Sequence, residues 1–251
     1  MKYLPPRYLF RRYEVLRNLQ PGERFLEIGA GDLTLSLELL EHFKQGVAIE
    51  LTDDMHVVHA ALPDDARERL TPITGDFATI DLDGQFDAVI SCEVLEHVLE
   101  HEEFLRRMNS VLRPGGQLIL AVPSRMKYWT EHDELVGHVR RYEKDDIRGL
   151  LEQAGFVGVR ILSYGFPWVN MLRIPRRILA RHQRTERSQW DLDTRTQQSN
   201  HRQIPEALSQ SPLRFFTRPT LFQPFAAISR LFNSYDLSDG YVVVTMRPPC
   251  P

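Results

Sequence analysis

The strongest constraint on this chain is a repeated alternation of short apolar runs, each ending at a glycine or an acid, with stretches of helical spacing. Phe25 to Ile28 runs into Gly29-Ala30-Gly31, Val47 to Ile49 ends at Glu50, and Pro72 to Thr74 precedes Gly75-Asp76. Phe86 to Ser91, Gln117 to Val122, Phe156 to Ser163 and Tyr241 to Met246 complete a series of seven expected strands. Between them the spacing predicts helices over Pro6 to Leu19, Leu33 to Phe43, Asp53 (as cap) to about Ala61, most of Val94 to Leu112, and Glu143 to Gln153. Pro21-Gly22, Gln45-Gly46 and Pro114-Gly115-Gly116 read as turns. Strands that alternate with helices imply an α/β fold with a mainly parallel sheet and helices on both faces.

One stretch breaks the rhythm. About 70 residues separate the sixth and seventh runs, far beyond an ordinary connection. Gly165 to Tyr235 holds eleven arginines and no lysine against Glu186, Asp191, Asp193 and Glu206, a charge of +7 where the remainder carries −10. The expected organisation is therefore an N-terminal helix (1–20), a core (21–164), an Arg-rich helical insertion (165–235), and a final strand with its tail (236–251). Leu172, Ile174, Ile178 and Leu179 lie among Arg173, Arg176, Arg177 and Arg181, a pattern that suits solvated helices, an anionic membrane surface, or an acidic acceptor.

Composition bounds the remaining classes. With 42% hydrophobic and 26% charged residues, 251 residues suit one globular α/β domain carrying an insertion. No run approaches a membrane span, and MKYLPPRYLF lacks the apolar centre of a signal peptide. Cys92 and Cys250 have neither disulfide-framework nor metal spacing. The expectation is a cytoplasmic protein, with peripheral contact at a membrane surface left open through 165–235. A net charge of −3 and the lack of a binding module argue against nucleic acid.

The three loops after the first three strands converge beyond their carboxyl ends, where open parallel sheets bind ligands. Glycines at the first turn let backbone N–H groups approach a ligand. Glu50, 19 residues after Gly31, suits two ribose hydroxyls, and Asp76 suits an exocyclic amine with Phe77 flanking an adenine. A nicotinamide cofactor would use the same turn, but it calls for G-x-G-x-x-G and position 34 is Thr34.

Together EIGAGDL, Glu50, GDF, FDAVISCEVLEHV and LRPGGQLILAVP resemble the successive motifs of the class I S-adenosylmethionine-dependent methyltransferases, from about Arg24 to Arg160, and GYVVVTMRP resembles that family's antiparallel last strand. The resemblance implies a Rossmann-like seven-stranded sheet and S-adenosyl-L-methionine as cofactor. Glu27, Gly29, Ala30 and Gly31 would hold its methionine end, Glu50 and Leu51 the ribose, Asp76 and Phe77 the adenine, while Ser91, Cys92 and Glu93 border the sulfonium. Many members carry a third glycine where this chain has Leu33.

Glu93, Glu96 and His97 stand at i, i+3 and i+4, one face of a helix, and offer ligands for a divalent cation. This E-x-x-E-H pattern resembles ubiquinone-biosynthesis O-methyltransferases and small-RNA 2′-O-methyltransferases, which implies a metal such as magnesium on Glu93, Glu96, His97 and a later histidine, here His138. Equally open is a metal-free site, with Glu96 and His97 shaping the loop and His138 as general base. Asp133 reads as a partner of His132 or an organiser of the loop. The expected activity is O-methylation of a small-molecule, lipid-linked or glycan hydroxyl, with N- and C-methylation open. The alternatives are a non-catalytic S-adenosylmethionine-binding module that holds a protein partner, and a Rossmann oxidoreductase.

Overall fold

A computed structural model of the chain describes residues 4–171 and 219–250. Seven strands form one sheet: β1 (Gly22–Ile28), β2 (Phe43–Glu50), β3 (Leu70–Thr74), β4 (Phe86–Cys92), β5 (Leu112–Pro123), β6 (Val157–Ser163) and β7 (Gly240–Met246). Their order is β3-β2-β1-β4-β5-β7-β6, with β7 antiparallel to both neighbours and the β1, β2, β3, β4 and β5 pairings parallel. Strand order reverses between β1 and β4, so the loops leaving those strands diverge and open a crevice there.

The apolar runs read as strands because both faces of the sheet are covered. Along β5, Leu118, Leu120 and Val122 pack into one core with Phe104, Leu105 and Met108 of α5 (His101–Val111) and with Ile147 and Leu151 of α7 (Lys144–Gln153). Ile119 and Ala121 point the other way, into a core with Leu9, Phe10 and Val15 of α1 (Pro6–Asn18), Leu35 and Leu39 of α2 (Thr34–Leu39), and Phe222 and Ala226 of α9 (Pro219–Arg230). Each fully buried leucine or phenylalanine contributes about 1.5–3 kcal/mol to that packing. Acids occupy the first turns of α5 (Glu102, Glu103) and α7 (Asp145, Asp146), where they complement the helix dipole. Arg247 closes α5 by donating to the Asn109, Ser110 and Leu112 carbonyls.

Several boundaries differ from the sequence reading. The helix expected to reach Phe43 ends at Leu39, and β2 already begins at Phe43, so Gln45-Gly46 lies inside a strand. Gly46 is there for close approach: a Cβ would stand 2.1 Å from the Phe25 ring. Pro114-Gly115-Gly116 likewise belongs to β5, beside a register shift between Phe86 and Ala88. Asp53 sits at the cap position of α3 (Asp54–Ala60) with no side-chain cap bond, and α4 (Asp64–Arg69) is an extra helix. A further short helix, α6 (Glu131–Leu135), has no counterpart in the sequence reading, and α8 (Trp168–Met171) lies within the insertion expected to be helical. Of the insertion, α8 and α9 are described; Leu172 to Arg218, with most of the arginines, lie outside the described residues. No helix among the described residues is long and apolar enough to cross a membrane.

Candidate active site

The crevice is built first from backbone. Gly29 (φ 78°) and Gly31 (φ 54°) take left-handed conformations, and the N–H groups of Gly29 and Ala30 donate to the Ile49 carbonyl at 2.9 and 3.1 Å. Gly29 has no room for a side chain, because a Cβ would lie 2.3 Å from Val94 Cγ2. Leu33 explains its departure from the glycine pattern: it keeps φ 60° while burying its side chain completely. The left-handed conformation costs a non-glycine residue about 1–2 kcal/mol, which a buried leucine offsets.

Glu50 ties the loops together. Its Oε2 accepts the Gly31 N–H at 2.9 Å, its Oε1 accepts the Leu51 N–H at 2.7 Å, and its main-chain carbonyl accepts the Gly75 N–H at 2.9 Å. Asp76 is exposed beside it, with Oδ1 accepting the Ala78 N–H at 2.9 Å. Phe77 departs from the expectation. Its ring is buried against Phe104, 5.1 Å between centroids, with Arg107 over it at 5.1 Å, so any contact to an adenine falls to its main chain. Glu27 is buried and accepts from Ser36 Oγ; burial pushes its carboxyl up to about 8, against the opposing pull of that hydrogen bond.

At the end of β4, Ser91 is buried with its Oγ unpartnered among the described residues. Burial pushes the Cys92 thiol up to about 12, so it stands as a neutral thiol. Glu93 takes φ 60° and its N–H donates to the Ala121 carbonyl at 2.8 Å. The expected helical face of Glu93, Glu96 and His97 therefore does not form: only Leu95–His97 makes a single 3₁₀ turn, and Glu93 points elsewhere. Its carboxylate meets Arg7 at 3.2 Å and Arg11 at 3.6 Å, both from α1. Arg7 also donates to Tyr164 Oη at 3.2 Å and to the Asp239 carbonyl at 3.4 Å, so α1 is clamped to the ends of β4, β6 and β7. Arg7 and Arg11 were missed in the sequence. Their i, i+4 spacing on the first helix was a usable signal, but nothing local said which strand ends that helix would cross.

Glu96, His97 and His138 do converge, with one ligand atom of each within 4.8 Å of the others. His138 Nε2 lies 3.5 Å from Glu96 Oε1, and the two imidazoles meet edge-on with centroids 4.9 Å apart. Glu96 is fully buried and neither carboxylate oxygen has a hydrogen-bond partner among the described residues. Burial, reinforced by Glu93, pushes its carboxyl well above the usual carboxylate range. His97 Nδ1 faces the Gly137 carbonyl at 3.1 Å, and His138 Nδ1 faces Asp133 Oδ1 at 2.9 Å. Asp133 is buried too; burial alone would raise its carboxyl, but His138 and Arg141 hold it below the usual range. The Asp133 carboxylate meets Thr130, His138 and Arg141.

A reversed strand order, a left-handed glycine loop, an acid at the tip of β2 and a further acid after β3 meet at the carboxyl ends of the strands of one α/β domain. The chain belongs to the methyltransferase-domain family, whose profile matches residues 2–161, and S-adenosylmethionine is the cofactor that membership brings. A probable S-adenosylmethionine-dependent methyltransferase of Mycobacterium tuberculosis (strain H37Rv) is 28% identical over 159 residues, 61% of this chain and 57% of that protein. The ubiquinone biosynthesis O-methyltransferase of Xanthomonas campestris is 32% identical over 119 residues, 45% of this chain and 48% of that one. The chain thus spans about half the length of the curated relatives it matches. In fold it is similar to phosphoethanolamine N-methyltransferase 2 of Haemonchus contortus in complex with S-adenosyl-L-methionine (TM-score 0.56, 16% identity, 95% of this chain, 52% of that one). It is similar to the same degree to the [4+2]-cyclase SpnF (TM-score 0.56, 18% identity, 95% and 80%).

Proposed function

We propose that this chain transfers the methyl group of S-adenosylmethionine to a hydroxyl oxygen of a small-molecule, lipid-linked or glycan acceptor. The observation that carries the reading is Glu96, a buried carboxyl whose oxygens accept no hydrogen bond among the described residues, set between His97 and His138 with His138 Nε2 3.5 Å from Oε1. A buried acid without hydrogen bonds costs stability, and such groups persist where a reaction uses them.

In this reading Glu50 accepts the ribose hydroxyls and Asp76 the adenine amine, while the Gly29-Ala30-Gly31 turn gives the methionine moiety a bare backbone. Arg7 and Arg11 set two guanidiniums at the Glu93 carboxylate, cations suited to the methionine carboxylate. Ser91 and Glu93 then border the sulfonium, and the acceptor oxygen must approach it in line from the Glu96 side. His138 presents Nε2 to that space and can take the hydroxyl proton.

The cluster also fits a divalent cation, through Glu96, His97 and His138; Glu93 is engaged with arginine and drops out of the ligand set. When bound, such an ion would lower the acceptor hydroxyl pKa. Two imidazoles and one carboxylate suit a borderline metal such as zinc or iron better than magnesium. The test is transfer of a labelled methyl group to a panel of phenols, sugars and polyprenyl-linked alcohols, with and without chelator. Label on oxygen supports the proposal; label confined to nitrogen or carbon acceptors defeats it.

A further inference from the structure

We infer that Asp133 is a positioning residue that fixes the tautomer and direction of His138. The inference rests on the reading of His138 as a reaction-site group. Asp133 is N3 of α6, and its Oδ2 completes a capping box by accepting the Thr130 N–H at 2.8 Å and Thr130 Oγ1 at 3.1 Å. A helix cap needs no more than that oxygen. The other oxygen is spent differently: Oδ1 faces His138 Nδ1 at 2.9 Å and accepts Arg141 Nε at 2.8 Å, with the Arg141 Nη2 charge at 2.7 Å.

An ionised carboxylate only accepts, so the imidazole nitrogen that faces it must carry the proton. The lone pair is thereby left on Nε2, the atom 3.5 Å from Glu96 Oε1. Arg141 extends the reference frame, since its Nη1 donates to the Ser124 carbonyl at 3.1 Å and the Asp239 carbonyl at 3.4 Å, at the ends of β5 and β7. His138 is thus aimed from the sheet itself, through Arg141 and Asp133, rather than by its own loop. A carboxylate that holds a histidine from behind is the arrangement that orients both catalytic bases and metal ligands.

The experiment is ¹⁵N NMR of histidine-labelled, metal-free full-length protein above the ordinary imidazole titration range, with His138 assigned by its loss in His138→Gln. Wild type is expected to carry the proton on Nδ1. Thr130→Ala, which removes one cap bond and leaves Oδ1 in place, should lower stability yet keep that tautomer. Asp133→Ala frees Arg141 to donate to Nδ1 and should move the proton to Nε2. With whichever acceptor gives turnover, Asp133→Ala should lower kcat by about 10- to 100-fold at an unchanged KM for S-adenosylmethionine. A proton on Nε2 in wild type overturns the inference, as does an unchanged tautomer in Asp133→Ala; if that variant does not fold, the wild-type tautomer decides alone. Titration of the same wild-type sample with S-adenosylhomocysteine keeps the readings apart. Absence of binding beside an Nδ1 proton would sink the proposed function and leave the Asp133–His138 assignment standing.

Discussion

Replacing Glu96 with leucine should make the metal-free protein more stable while removing its chemistry. Glu96 is fully buried, and both of its oxygens lack hydrogen-bond partners among the described residues. Each unsatisfied buried polar group costs about 1–3 kcal/mol, and leucine is of similar volume without that penalty. The folded-state pKa of Glu96 is raised above its ordinary 4.5, so the unfolded chain releases the proton first as pH rises. The carboxyl therefore weakens the fold progressively above pH 4.5, and the advantage of Glu96→Leu should be smallest near that pH and grow toward pH 8. At neutral pH a gain of about 1–3 kcal/mol is expected, or about 2–4 °C in Tm for each kcal/mol in a chain of this size. The assay is urea denaturation with chelator present, at several pH values. A Glu96→Leu protein less stable than wild type at pH 8 would refute the reasoning, because it would mean the carboxylate is satisfied in the fold and not held in reserve.

The other expectations concern the turn, the clamp and the buried acid behind the loop. Gly29→Ala should be the costlier of the two turn substitutions: Gly31→Ala meets open space and bears only about 1–2 kcal/mol of left-handed strain. Gly29→Ala adds overlap with Val94, about 1–3 kcal/mol, which Val94→Ala should relieve in a double-mutant denaturation series. Arg7→Met removes one partner of the Glu93 pair and should destabilise by about 3 kcal/mol in urea, with partial recovery in Arg7→Met/Glu93→Leu. Glu27→Gln should gain stability relative to wild type as pH rises from 4.5 to about 8, since across that window the unfolded chain ionises this carboxyl while the fold keeps it protonated.

Strand identity and the cofactor loops were legible because the patterns that carry them are local. A continuous apolar run that ends in glycine or an acid announces a doubly covered parallel strand and its loop at once. Glycine was misread where its reason was tertiary: Gly46 makes room for Phe25 and Gly116 for a bulge, and neither turns the chain. Helical spacing misplaced Glu93 because the chain leaves β4 in a left-handed residue before any helix begins. Phe77 read as an adenine contact from its neighbour Asp76, yet the hydrophobic payload of its ring belongs to the core. Arg7, Arg11 and the second role of Asp133 depend on contacts across 86, 82 and 5 residues, and only the last of these lay within reach of a local pattern. The Arg-rich stretch from 172 to 218 lies outside the described residues and stands as the sequence leaves it, a basic segment.

Calorimetric titration with S-adenosylhomocysteine, for wild type and Glu50→Ala side by side, tests the central claim most directly. Saturable one-site binding to wild type that Glu50→Ala abolishes is expected, because the carboxylate that anchors the Gly31 turn is the one proposed to receive the ribose. Equal affinity in the two proteins, or none in a folded wild type, would contradict a nucleoside site at the tip of β2.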